Sequence, residues 1–270
     1  MKFKIGFSAD NQNKFETLTS PLCNAQTTPR KSVAQVNFPE RNMTLAYYND
    51  LFDLKPGNIV FVDGKLEGMR GFVTEVNYNF KIKLSDYKRV IAVADTNVNG
   101  QFFMAGSHFV SFDSKALPRE KVRTWFIAPQ RPEDEIISGS DDTKFHLDNL
   151  KDMKVSPQIA DRGHKYYIED KVVYICIDGE KGYAIVEGSK PYEVEFEYHD
   201  GEISALNCSC FCSYKCKHQF AAMLQLKETL EIIGKNYENE RNANDYFAAI
   251  RKNTLFNLAI CSKEKGSFTL

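Results

Sequence analysis

About three-quarters of the way along the 270-residue chain, two pairs of potential metal ligands fall close together: Cys208-Ser209-Cys210 and, five residues on, Cys216-Lys217-His218. Three thiolates and one imidazole make a four-membered N/S donor set, the number Zn²⁺ takes in a tetrahedral site. With every position filled by protein, such a site holds structure together and leaves no open coordination position for catalysis. Cys212 lies between the pairs, so Cys208, Cys210, Cys212 and Cys216 form an all-thiolate alternative. The competing readings of so many thiols are a redox relay and a disulfide framework. Seven cysteines is an odd number that full pairing cannot use, which points to a reducing compartment. Cys23, Cys176 and Cys261 stand apart and read as buried free thiols, and the isolated His108, His146, His164 and His199 do not read as ligands.

The local pattern says which elements must carry the two pairs. Tyr192, Val194, Phe196 and Tyr198 alternate with Glu193, Glu195, Glu197 and His199, the period of a half-buried strand. Asp200-Gly201 supplies a hairpin turn, and the return strand from Ile203 to Asn207 delivers Cys208 and Cys210 at its end. Beyond the second pair, Phe220, Met223, Leu224, Leu230 and Ile233 recur three and four apart, a helical face interrupted by Lys227 and expected to end at Gly234. Cys216 and His218 thus sit on the first turn of a helix. One ion joining a strand end to a helix start would couple metal binding to folding.

The order CxC, spacer, CxH on a strand and a helix start resembles the SWIM zinc finger, over roughly residues 160 to 235. Gly182 to Gly188 (GYAIVEG), Ser189 and Tyr192 to Tyr198 look like the strands preceding that finger, and Cys216 to Ala222 looks like its helix start. The resemblance implies one zinc ion per chain on Cys208, Cys210, Cys216 and His218. It also implies a role at DNA or in a DNA-processing complex. A second, weaker resemblance joins Pro56-Gly57 through Arg70-Gly71-Phe72-Val73, within residues 54 to 93, to the SH3-like and KOW-like barrels of nucleic-acid-handling proteins.

Around the finger, the chain divides by composition. Residues 1 to 45 are polar with Pro21, Pro29 and Pro39, and read as irregular with short strands. Ile59–Val62, Gly71–Val76, Phe80–Leu84 and Arg89–Val93 read as short strands of a meander closing into a small barrel. Phe102–Met104 and His108–Phe112 extend it. Arg119, Lys121, Arg123 and Trp125 have the composition of a phosphate and base contact, although an element covering the barrel with Trp125 in the core is the simpler expectation. The acidic stretch Pro132 to Asp142 reads as a boundary, and Asn244 to Leu258 as a helix packed on the finger helix. The expected fold class is therefore α+β: a basic β-rich domain (1–131), an acidic linker (132–150), a zinc domain of β-hairpins plus helix (151–235) and a helical tail (236–270).

Overall net charge is −1, yet residues 1–131 carry 18 Lys+Arg against 12 Asp+Glu, leaving 17 against 24 for the remainder. A basic amino-terminal half favours a polyanionic partner. No acidic residue falls between Glu202 and Glu228, whereas Lys215, Lys217 and Lys227 do, which makes the finger loop and helix start basic. Helix N–H groups there favour phosphate oxygens too. Lys215 and Lys217 are the expected phosphate contacts and Tyr214 a stacking residue. The three glutamates of the preceding strand oppose such a partner, and they or the Phe220 helix face would instead suit a protein adaptor for a separately encoded helicase or transposase. No P-loop, HExxH, GxSxG or dinucleotide-binding glycine pattern is present, and Asp141-Asp142 sits in the expected linker. The expectation is a non-enzymatic, cytoplasmic zinc protein with no apolar run of signal-peptide or membrane-spanning length.

Overall fold

The computed structural model describes residues 5–6, 29–130, 139 and 142–260. Most of the expected acidic boundary, together with Cys23 and Cys261, lies outside the described residues. The protein is mixed α/β, mostly β, and built on two antiparallel sheets. A short β1 (Ile5–Gly6) precedes the smaller sheet, which contains β2 (Ser32–Phe38), β3 (Met43–Asn49), β4 (Ile59–Val62), β5 (Gly71–Asn77) and β6 (Val90–Val93) in the order β3-β2-β5-β4-β6. Its outer strands approach each other where Tyr48 bridges Arg89, and the Tyr48 N–H donates to the Lys88 carbonyl at 2.9 Å. Inside lie Val36, Phe38, Leu54, Val60, Val62 and Val73, a core of its own. Two expectations fail here. Residues 32–38 and 43–49 form full seven-residue strands. Phe80–Leu84, by contrast, is not a strand: it runs into a short 3-10 turn at Leu84–Asp86.

The larger sheet draws on the whole described chain. It takes β7 (Gln101–Ala105) and β8 (His108–Ser111), then, after the short α1 (Arg119–Arg123), β9 (Phe145–His146). α2 (Pro157–Ile168) leads into β10 (Val172–Asp178), β11 (Lys181–Glu187), β12 (Pro191–His199) and β13 (Glu202–Cys208). α3 (Lys217–Asn236) and α4 (Glu238–Asn242) are followed by β14 (Tyr246–Arg251) and α5 (Lys252–Leu255). The strand order β1-β7-β8-β14-β10-β11-β12-β13-β9 joins β7 and β8, expected in the amino-terminal unit, to β10–β13 through β14. Tyr246–Arg251, where the sequence pattern predicts a helix, is instead an inner strand between β8 and β10. The physical reason is double burial. One face of the sheet packs Ile175, Ile177, Ala184 and Phe247 under α3, and the other packs Tyr174, Cys176, Ile185 and Ala248 against Trp125 and Leu117. Such a strand is apolar on both sides, so YFAAI loses the period-two signal and mimics a helical face.

Trp125 is fully buried in that second layer, its indole N–H donating to the Asp95 carbonyl at 2.7 Å. Ile59 of the smaller sheet and half-buried Phe72 belong to the same cluster, so Trp125 helps join the two sheets. Helix α3 starts at Cys216 as N-cap and runs past Gly234 to Asn236, longer than expected. It lies on α2, whose Gly163 leaves no room for a side chain: a Cβ there would come within 2.8 Å of Phe220. Among the described residues no helix is long and apolar enough to cross a membrane.

Candidate metal centre

Strand periodicity and a helix start converge as the sequence requires. At the end of β13, Cys208 and Cys210 share one face because they are two residues apart, while the intervening Ser209 points away. Ser209 is tied to β12 from both sides: its N–H donates to the Glu193 carbonyl and its hydroxyl accepts the Glu193 N–H, each at 2.9 Å. The hairpin before it turns at Asp200 and Gly201, both with positive φ, as the two-residue turn demands. Between β12 and β13 the register slips by one residue opposite Phe196, and Ala205 holds a left-handed φ of 49° at this bulge. A bulge changes which side chains face the core, and this one sets the phase in which Cys208 and Cys210 emerge.

On the helix side, Cys216 closes a capping box. Its sulfur accepts the Gln219 N–H at 3.5 Å, while the Gln219 side chain accepts the Cys216 N–H at 2.7 Å. The Gln219 amide also donates to the Leu206 carbonyl at 3.2 Å, locking the helix start to the strand that carries the first pair. His218 is buried, stacked on Tyr192 with ring centroids 4.1 Å apart and met edge-on by Tyr166. Gly188 makes the stack possible, because a Cβ there would lie 2.8 Å from the Tyr192 ring and 3.5 Å from His218 Nε2.

The four donor atoms of Cys208, Cys210, Cys216 and His218 lie within 4.8 Å of one another. His218 Nδ1 is 3.8 Å from the sulfurs of both Cys208 and Cys216. Ligands of a tetrahedral zinc with bonds of about 2.0 and 2.3 Å stand about 3.6–3.8 Å apart, so the spacing suits a small cation between them. The electrostatics agree. The Cys216 thiol is pulled down to about 4, first by its hydrogen bond with Cys208 and then by His218 and the Gln219 N–H, against the effect of burial. Cys208 is pushed well above its ordinary range by the same hydrogen bond and by burial, and burial raises Cys210 to about 11. Three crowded sulfurs therefore share protons around one thiolate, and a dication would replace those protons. The residues present fit a metal, which would supply a structural cross-link between strand and helix. Cys212 is exposed and stands outside the group.

The remaining expected contact residues fall around this centre. Tyr214 is 86% exposed on the spacer, and Phe211, which no local periodicity singles out, is 88% exposed on the same loop. Lys215 is half-buried, and the Lys217 ammonium lies 4.5 Å over the Tyr166 ring. Lys227 is turned towards Asp148 at 3.6 Å. The three glutamates of β12 are engaged. Arg123 holds Glu193 through two hydrogen bonds at 2.7 and 3.3 Å, Tyr183 donates to Glu193 at 2.9 Å, Arg119 pairs with Glu195, and Ser204 donates to Glu197 at 3.1 Å. Arg119 and Arg123, which have the composition of a phosphate contact, are thus tied to β12.

Fold and site together define a mixed α/β protein with a Cys₃His group able to hold a metal ion. Compared with protein-family models, curated protein sequences and solved structures, the chain has no significant match.

Proposed function

We propose that the chain is a non-enzymatic zinc protein in which Cys208, Cys210, Cys216 and His218 hold one Zn²⁺, and that its metal-bearing loop contacts nucleic acid, as DNA or within a DNA-processing complex. The observation that carries the metal is the convergence of these four donors on one point, with His218 buried and oriented by two aromatic rings. The arrangement of a CxC strand end and a CxH helix start supports the SWIM-like reading. Support for nucleic acid comes from Phe211 and Tyr214, two aromatic side chains held out into solvent on the short loop between the ligand pairs, beside Lys215 and Lys217. Exposed rings flanked by cations are stacking platforms for bases, with the ammonium groups at phosphates. The pairing of Glu193 and Glu195 with arginines supports this reading as well, since it lessens the acidic character of the neighbouring strand.

Native mass spectrometry of the purified chain should show one zinc per molecule; a folded, metal-free protein would overturn the metal assignment. Fluorescence anisotropy with labelled single-stranded and duplex DNA should show binding that weakens steeply between about 50 and 200 mM salt, as counterion release requires. Absence of binding to both forms at low salt would remove nucleic acid and leave the adaptor role.

A further inference from the structure

A second feature lies beside the metal centre. Between the edge of the smaller sheet and the turn joining β11 to β12 there is a cleft of about 650 Å³, walled by Arg41 and Arg70 on one side and by Lys171 and Lys190 on the other, with Phe126 among its lining residues. Four arginines elsewhere spend their charge on partners: Arg89 on Asp50, Arg119 on Glu195, Arg123 on Glu193 and Arg251 on Glu187. Among the described residues, none of the four cleft cations forms a salt bridge. Two acids also line it: Glu187, paired with Arg251 at 2.9 Å, and Glu40; both act on the Arg70 charge, and the four cations outnumber them. Arg70 is fixed in place by donating to the Trp125 carbonyl at 3.3 Å and by lying 5.4 Å from the Phe126 ring centroid. The cleft is therefore a preorganised cationic slot.

One lining residue reaches the loop between the ligand pairs. Lys190, on its rim, sets its ammonium 5.5 Å over the exposed Phe211 ring and 5.8 Å over Tyr192, the ring that stacks on His218. Cations and then an exposed aromatic platform follow one another along a path from the smaller sheet to the metal centre. A volume of this size accepts a small-molecule-sized group, one or two nucleotides, and excludes a double helix. We propose that the protein's nucleic-acid ligand is a single strand whose phosphates enter the cleft at Arg41, Arg70, Lys171 and Lys190, with a base stacked on Phe211. This rests on the nucleic-acid reading above and adds strandedness and a path to it.

Three labelled probes decide it by anisotropy on the full chain: a twelve-residue oligothymidylate, an oligouridylate of equal length and a twelve-base-pair duplex. At equal salt, either homopolymer should bind at least tenfold tighter than the duplex. Lys190→Ala should reduce the slope of log affinity against log salt by about 0.7, the share of one phosphate on a single strand. Phe211→Ala should weaken single-strand binding about tenfold, the loss of one stacked base. Lys181→Ala, at the opposite end of β11, should leave it unchanged, and zinc content and circular dichroism should match wild type in every variant. Duplex binding equal to or tighter than single-strand binding overturns the proposal while sparing nucleic-acid recognition. Wild-type affinity in both Lys190→Ala and Phe211→Ala overturns it as well. No binding of any probe defeats both readings together.

Discussion

Two groups of residues govern the chemistry at the smallest scale. The first is the donor set. His218→Ala and Cys208→Ser each remove one of four ligands and should abolish stoichiometric zinc in native mass spectrometry, whereas Cys212→Ser should retain it. The reverse result for Cys212 and His218 would establish the all-thiolate set. The second is His108, fully buried, with Ser107 beside Nδ1 at 3.0 Å and the Val172 carbonyl 2.7 Å from Nε2. A carbonyl only accepts, so Nε2 carries a proton, and burial disfavours a second one on Nδ1. Burial lowers this histidine to about 4. The unfolded chain, titrating near 6.5, therefore binds the proton first as pH falls, and stability drops between about pH 6.5 and 4 by something on the order of 3 kcal/mol. His108→Gln should flatten that part of a denaturant-midpoint profile, and an unchanged slope would show that other groups cause it.

At the scale of elements, the centre depends on two backbone accommodations. Ala205 occupies the left-handed region at the β12–β13 bulge, where a Cβ costs about 1 kcal/mol. Ala205→Gly should leave zinc bound and raise stability by up to about that amount, while Ala205→Val should lower both stability and zinc affinity. A neutral Val variant would mean that the bulge does not position Cys208 and Cys210. Gly188 in the β11–β12 turn gives Tyr192 room to lie on His218. Gly188→Ala should shift Tyr192 and weaken zinc retention against a competing chelator several-fold without unfolding the sheet, as read by far-ultraviolet circular dichroism.

For the whole molecule, the metal centre sits at one end of a sheet whose middle is buried on both faces, while the smaller sheet keeps a separate core. Metal removal should therefore act unevenly. In hydrogen exchange, chelation should expose the β13 end and the first turns of α3, leaving β2–β5 protected. Uniform loss of protection would show that the two sheets unfold as one unit. The layer around Trp125, which includes Ile59 and stands beside the cleft, is the place where such coupling would originate.

The metal centre was legible early because its signals are local. Ligand spacing, a period-two strand, an Asp-Gly turn and a helix start each depend on residues close together in sequence, so the Cys/His cluster and its elements emerge from the chain alone, whereas the fold leaves Cys212 outside the group. What depended on partners distant in sequence did not. Nothing near Tyr246–Arg251 reveals that β8 and β10 flank it, so its unbroken apolar run passes for a helix. Arg119 and Arg123 look like free cations until β12 arrives some 70 residues later to pair them. The cleft of cations, without salt bridges among the described residues, and the contact of Lys190 with Phe211 arise only where two sheets and a turn meet. Local periodicity determined which residues can bind a metal; tertiary packing decided which charges remain free for a partner, because a charge is neutralised by whatever lies beside it in space.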